Sequence, residues 1–132
     1  MKIYVAGPMR GYPEFNFPAF VAATAKLRDA GHSVFNPAER DLATGFDPTG
    51  LTGSDEELAK LAFSLRDALG ADTHYICSEA EAIYMLPGWE KSTGAVAERA
   101  LAEALGLEIL IDPRADNLPG NRKIRDITRF AV

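Results

Sequence analysis

The sequence has 132 residues, of which 47% are hydrophobic and 25% charged, with a formal net charge of −5. This length predicts one domain, residues 1–132, with a single core. The acidic balance argues against a nucleic-acid partner, which requires a basic face, although a few local cations can still hold a small anion. The lone cysteine, Cys77, excludes an internal disulfide and a zinc site built from several cysteines.

Signals for membranes, secretion and metals are missing from the sequence. No stretch reaches the roughly 20 apolar residues of a membrane span. The apolar run at residues 1–7 is too short for a signal peptide and is typical of a strand. We therefore expect a cytoplasmic protein with no membrane partner. His32 and His74 have no partner at metal-ligand or triad spacing, so no metal site is predicted.

Four short β-forming runs predict the strands of a sheet. They cover residues 2–6, 33–35, 82–86 and 107–111. Helical patterns separate these runs, and such alternation is typical of a parallel sheet with right-handed crossovers. The sequence therefore predicts a Rossmann-like (flavodoxin-like), doubly wound α/β fold of four to five strands, in the order 2-1-3-4(-5).

Capping residues and apolar spacing predict the helices. The first follows Asn16 as N-cap and ends at Gly31, and the last follows the loop of residues 87–94 and ends at Gly106. A capping box at Ser54 precedes a leucine stripe that predicts one helix ending near Gly70, with a shorter helix over residues 72–78.

Two segments lack a clear helix or strand pattern. Residues 38–53 are rich in glycine and proline, and we expect an irregular excursion over the ligand-binding edge. The tail, residues 115–132, is compatible with a final helix or an edge strand and with a role in oligomerisation.

The predicted strand order indicates where a ligand would bind. The loops after strands one and three lie side by side at the switch point, where open α/β sheets bind ligands. The first loop begins with Gly7, Met9, Arg10 and Gly11. Glycines allow close backbone approach, and a guanidinium suits phosphate or carboxylate. A tight turn with a solvated arginine explains the same residues.

The second loop carries several candidate side chains, each with a structural alternative. Trp89 can stack on a base or pack in the core. Ser92 and Thr93 can cap the following helix or help to form an anion site. Glu98 lies about one turn into that helix, where the helix N-terminus favours its ionised form, as a nucleophile or simply as a dipole partner. Asp72 can supply a second carboxylate or cap a helix.

Three segments together resemble the nucleoside 2-deoxyribosyltransferase-like superfamily, over about residues 2–111. They are residues 2–11, residues 82–89, and the stretch from Ser92 through Gly94 to Glu98. The most specific element of the resemblance is the spacing of the serine, glycine and glutamate in that last stretch, which follows an apolar strand. The likeness is greatest to small phage and bacterial members that carry a Leu-Pro-Gly-Trp segment.

The resemblance implies a catalytic pair and a substrate. The glutamate matching Glu98 attacks the anomeric carbon of the sugar, and an aspartate best matched by Asp72 protonates or positions the leaving base. In the branch that cleaves nucleoside 5′-monophosphates, the residues matching Arg10 and Ser92 hold the phosphate. The substrate contacts implied are Gly7, Met9, Arg10, Gly11, Trp89, Ser92 and Gly94. The resemblance implies no organic cofactor. It does imply that the protein forms a homodimer or a higher homo-oligomer.

Some departures and alternatives stay open at this point. Pro8 stands where phosphate-binding members often have a serine, and the irregular spacing before strand three leaves Asp67 as a rival to Asp72. The residues that contact the base cannot be matched. A deoxyribosyltransferase that exchanges bases and a non-catalytic nucleotide-binding or sensing protein are the alternatives to a nucleotide N-glycosidase.

Overall fold

Four parallel strands form the sheet of the computed structural model, which describes residues 1–61 and 63–115. The strands are β1 (Lys2–Ala6), β2 (Ser33–Phe35), β3 (Ala82–Met85) and β4 (Glu108–Ile111). Their order is β2-β1-β3-β4, and every neighbouring pair is parallel. The predicted doubly wound fold and its strand order are thus confirmed. The possible fifth strand falls on residues outside those described.

Helices cover both faces of this sheet. In the described part of the chain they are α1 (Phe17–Asp29), α2 (Pro37–Ala43), α3 (Asp55–Lys60), α4 (Leu65–Ser78) and α5 (Thr93–Ala104). Because side chains alternate along a strand, Ile3 and Val5 of β1 pack on the α1 side. Tyr4 and Ala6 pack on the opposite side, with residues of α4 and α5. No helix in the described ranges is long and apolar enough to cross a membrane.

The excursion between β2 and α3 is partly helical, contrary to the prediction for residues 38–53. The Asn36 side chain accepts a hydrogen bond from the Ala38 N–H at 2.9 Å, and Pro37 occupies the first helical position, so α2 begins directly after β2. This helix is only seven residues long, too short to show a periodic apolar pattern. Residues 44–54 contain no regular element.

The leucine stripe does not form one helix, so that prediction is wrong. The predicted capping box at Ser54 is present, but α3 ends at Lys60, and α4 starts four residues after Leu61, with Ser64 as N-cap. Gly70 lies inside α4, which continues to Ser78. The shorter helix predicted over residues 72–78 is therefore the second half of α4, and this places Asp72 in mid-helix.

The loop after β1 is held in an unusual left-handed conformation. Glu14, Phe15 and Asn16 all have positive φ angles, of 53°, 52° and 62°. Such angles are unfavourable for residues other than glycine. Neighbouring contacts offset part of this cost, since the Glu14 N–H donates to the Leu51 carbonyl at 2.8 Å. Asn16 occupies the predicted N-cap position, yet its amide donates to the Pro8 carbonyl instead of capping α1.

Residues 50–53 hold this loop in place from outside. The Gly11 N–H donates to the Gly53 carbonyl at 2.8 Å, and the Gly50 N–H donates to a Glu14 carboxylate oxygen at 3.0 Å. Gly53 has a φ of +91°, and a Cβ there would collide with the Tyr12 carbonyl. The first switch-point loop therefore has a fixed shape that depends on a glycine forty residues later in the chain.

Candidate functional site

A cleft of about 750 Å³ opens at the carboxyl edge of the sheet. Both predicted switch-point loops line it: the first over residues 7–12, and the second over residues 91–95 together with Glu98. Residues of α2, α3 and α4 complete the walls. Arg10 and Glu98, 88 positions apart in the sequence, thus face one cavity.

Eight of the nine predicted site residues line this cleft. They are Gly7, Met9, Arg10, Gly11, Asp72, Ser92, Gly94 and Glu98. Asp67 is exposed on α4 and is not among the lining residues, so the structure favours Asp72 as the second carboxylate of the site. Asp72 does not cap a helix, which removes its structural alternative.

Trp89 does not line the cleft, and the expected base-stacking role is corrected. Its side chain is buried in the core on the α5 side of the sheet, and the Arg99 guanidinium lies 4.4 Å from the centre of the ring. This cation–π contact stabilises the turn before α5. The alternative prediction, a tryptophan that packs in the core, is the one the structure supports.

A buried hydrogen bond joins Glu98 to Tyr4, which is not among the site residues predicted from the sequence. Glu98 is 6% exposed, and Tyr4 on β1 is 1% exposed. The Tyr4 hydroxyl donates to Glu98 Oε2 at 2.6 Å. The Tyr4 ring stacks on Phe35 with a centroid distance of 5.7 Å, which fixes the direction of its hydroxyl. The only sequence signal for this role is general, namely that a tyrosine buried in a strand needs a hydrogen-bond partner.

Asp72 lies beside the same hydroxyl. Asp72 is 8% exposed, and its carboxyl group interacts with both Tyr4 and Glu98. Its Oδ1 atom is buried and has no hydrogen-bond partner among the described residues. A buried polar atom without a partner is costly, which is a feature of sites that bind a ligand or a proton.

Burial shifts the acidity of both carboxyl groups. It raises the pKa of Glu98 to about 8; the Tyr4 hydrogen bond opposes this rise, and the charge of Asp72 adds to it. Burial likewise raises the pKa of Asp72 to about 7, with a further rise from Asp41, opposed by Tyr4 and Arg40. The effect of desolvation on the pKa of Glu98 is thus larger than the opposing effect of the helix N-terminus, which is expected from the sequence to favour the ionised form. The two groups interact, so they titrate as a pair near neutral pH.

This arrangement can divide the roles of acid and base. The Tyr4 hydroxyl has one proton, which it donates to Glu98, and burial keeps the pKa of Tyr4 well above its usual value. A protonated Asp72 can donate to the remaining lone pair of the same oxygen. When the proton of this coupled pair lies on Asp72, Glu98 is ionised and each group has the state suited to a different chemical task; when the proton lies on Glu98, the pair is in its unreactive form.

The mouth of the cleft carries the groups suited to an anion. Arg10 is half-exposed, and its Nη1 lies 3.6 Å from Oδ1 of Asp55, which also lines the cleft. Ser92 caps α5 by accepting from the Ala95 N–H at 3.2 Å, which leaves its own O–H proton available. A Cβ at Gly94 would meet only Ser92 Oγ, at 4.0 Å, so the start of α5 is open to a ligand.

A protein-family model described as "Domain of unknown function (DUF4406)" matches residues 1–111. The chain belongs to this family. The match spans all four strands and every predicted site residue, so the cleft lies within the DUF4406 region of the chain. No curated protein matches the chain. In the residues described, no group of three His, Cys, Asp or Glu side chains is placed to hold a metal ion.

The buried carboxyl groups make stability depend on pH. The folded protein retains a proton on Glu98 up to about pH 8, whereas the ordinary pKa is 4.5. Unfolding releases this proton between those values, so the free energy of unfolding should fall as pH rises from about 5 to 8. Glu98→Gln, which stays neutral, should flatten this fall and raise stability at pH 8 by on the order of 2 kcal/mol.

Urea denaturation at pH 5 and at pH 8 measures this effect. Glu90→Gln is the control, because it changes an exposed carboxyl and should leave the pH dependence unchanged. Equal pH dependence in the wild type and Glu98→Gln would show that Glu98 titrates as an ordinary solvent-exposed acid.

Proposed function

We propose that this protein cleaves the N-glycosidic bond of a nucleoside or deoxynucleoside 5′-monophosphate and releases the free base. The observation that carries the proposal is the buried group of Tyr4, Glu98 and Asp72, with an unpartnered Asp72 oxygen, on a cleft that also carries Arg10. The resemblance to the nucleoside 2-deoxyribosyltransferase-like superfamily supports the same reaction, because it matches Glu98 to the nucleophile.

In the first step, Glu98 attacks the anomeric carbon of the sugar. A C–O ester bond forms as the C–N bond breaks, and the electron pair of the C–N bond moves to the base nitrogen. Asp72 gives its proton to that nitrogen, so the base leaves neutral. General acid catalysis of this type contributes about 10²–10⁴-fold to the rate, and the carboxylate stabilises the oxocarbenium-like transition state before trapping the sugar.

In the second step, water completes the hydrolysis. The ionised Asp72 accepts a proton from a water molecule, whose oxygen attacks the anomeric carbon. The ester bond breaks, Glu98 regains its negative charge and Asp72 its proton. Tyr4 acts as a positioning residue throughout, because its hydrogen bond to Oε2 leaves Oε1 free to attack.

The charged groups at the mouth of the cleft bear on whether the substrate carries a phosphate. Arg10, Lys91 and the start of α5 are suited to a monophosphate. Asp55 lies beside Arg10 and partly neutralises it. This pairing favours, as the second candidate, a transferase that acts on nucleosides without a phosphate and passes the sugar to another base.

The proposal also bears on the cellular location and the oligomeric state of the protein. Nucleoside monophosphates are intracellular metabolites, so we propose a cytoplasmic location. The homo-oligomer implied by the superfamily resemblance stays a prediction.

Incubation with a panel of nucleotides and nucleosides tests the reaction. The wild type should release free base from at least one monophosphate, and Glu98→Ala should lose at least about 10³-fold in kcat because the nucleophile is gone. Glu103→Gln, which removes a carboxylate from the exposed side of the same helix, should retain full activity.

Adding a second free base separates hydrolysis from transfer, because only a transferase makes the new nucleoside. Nucleotide binding without release of base from any substrate would indicate a sensing protein and contradict the proposal.

The charge pair at the mouth distinguishes the two substrate candidates. If Arg10 holds a phosphate, Arg10→Gln should raise KM for a monophosphate about tenfold or more, through loss of a charge-assisted contact. Asp55→Asn should lower that KM several-fold, because it frees the guanidinium. The matched nucleoside should respond to neither variant. A wild type that prefers the nucleoside, with no response to either substitution, would favour the transferase candidate.

A further inference from the structure

A third buried carboxyl group lines the cleft and has no role in the proposed reaction. Asp41 is 5% exposed and lies on α2, the helix that follows β2. Arg40 Nη1 donates to its Oδ1 at 3.2 Å. A carboxylate has about four lone-pair sites, so Asp41 retains acceptor capacity after this contact.

Asp41 and Glu98 lie on different helices, α2 and α5, and both helices contact α4, which carries Asp72. The charge of Asp41 raises the pKa of Asp72, and the charge of Asp72 raises the pKa of Glu98, so Asp72 is the neighbour of both. The proposed reaction places the anomeric carbon at Glu98 and the leaving nitrogen at Asp72, which leaves Asp41 as the next carboxyl group in the cleft that the ring of the base can reach.

Aromatic side chains surround this end of the cleft. The Phe46 N–H donates to the Asp41 carbonyl at 3.1 Å, which brings the two residues together. The Phe46 ring packs against Phe15, Phe17 and Phe63, with centroid distances of 5.5, 5.7 and 5.6 Å, and all four rings line the cleft. An apolar wall with one carboxyl group is suited to a flat heterocycle with a hydrogen-bond donor on its edge.

We propose that Asp41 recognises the departing base, and that the preferred substrates carry a base with an exocyclic amino group. This inference rests on the proposed function for the position of the sugar. An ionised carboxylate only accepts hydrogen bonds, so it pairs with an amino group and is repelled by a carbonyl oxygen at the same position. Sites built around a buried polar group discriminate strongly, because the wrong ligand leaves that group unpaired.

Substrates that differ only in an amino or a carbonyl group test the inference. The pairs are the deoxynucleoside monophosphates of cytosine and uracil, and of adenine and hypoxanthine. We expect the wild type to cleave the amino-bearing member with a kcat/KM at least about 100-fold higher. Asp41→Asn should reduce this ratio to about tenfold or less, because a carboxamide can turn to offer a donor or an acceptor. Asp67→Asn removes the same charge from an exposed position on α4 and should keep the wild-type ratio.

Two outcomes would overturn the assignment of Asp41 to base recognition. Equal kcat/KM within both pairs for the wild type would do so without any variant, even if Asp41→Asn fails to fold. A ratio unchanged by Asp41→Asn would also do so.

Calorimetry separates this inference from the proposed function. If no nucleotide is cleaved, the reaction is wrong, but binding of the same pairs still tests Asp41. The amino-bearing member should bind the wild type more tightly, and Asp41→Asn should remove the difference. Equal binding of both members would overturn the role of Asp41.

Discussion

The hydrogen bond from Tyr4 to Glu98 is the interaction on which the site depends. A carboxyl group this deeply buried is held toward its neutral form by desolvation, and a neutral carboxylic acid is a poor nucleophile. A cation beside Glu98 would ionise it but would also weaken its attack on an electron-poor carbon. A tyrosine hydroxyl opposes the rise in pKa without adding a charge. The result is a carboxyl group that stays near the balance between its two forms at neutral pH.

The sheet brings Tyr4 and Glu98 together, and it does so by burying carboxyl groups in a way that lowers the stability of the folded state. Tyr4 is held by the central strand β1, Glu98 by α5, Asp72 by α4 and Asp41 by α2, and all four meet where parallel strands end. Three carboxyl groups in one buried region destabilise the folded state, since each is removed from water and Asp72 lacks a partner for Oδ1. Such a cost is typical of functional sites, where activity requires groups that stability alone would not retain.

Features of the fold and the site that depend on short sequence patterns can be predicted from the sequence, and features that depend on distant contacts cannot. The strands, the switch-point loops and the placement of Arg10 and Glu98 follow from short patterns and from strand order, and most candidate residues do line the cleft. Tyr4 was missed because its role depends on a residue 94 positions away. Local propensity predicts a helix end at Gly70, whereas tertiary packing overrides it and α4 continues past this glycine to Ser78. Trp89 had two predicted environments, and only its contact with Arg99 in the folded chain distinguishes them.

The coupled titration of Glu98 and Asp72 is tested most directly by carboxyl-carbon NMR of protein labelled at its Asp and Glu side chains. We expect the signals of Glu98 and Asp72 to titrate together near neutral pH, and Tyr4→Phe to move the pKa of Glu98 further up, because the hydrogen bond that opposes its rise is lost. If both carboxyl groups titrate near pH 4, independently of each other and of Tyr4, the pair is not buried or coupled as described, and the account of the site is contradicted.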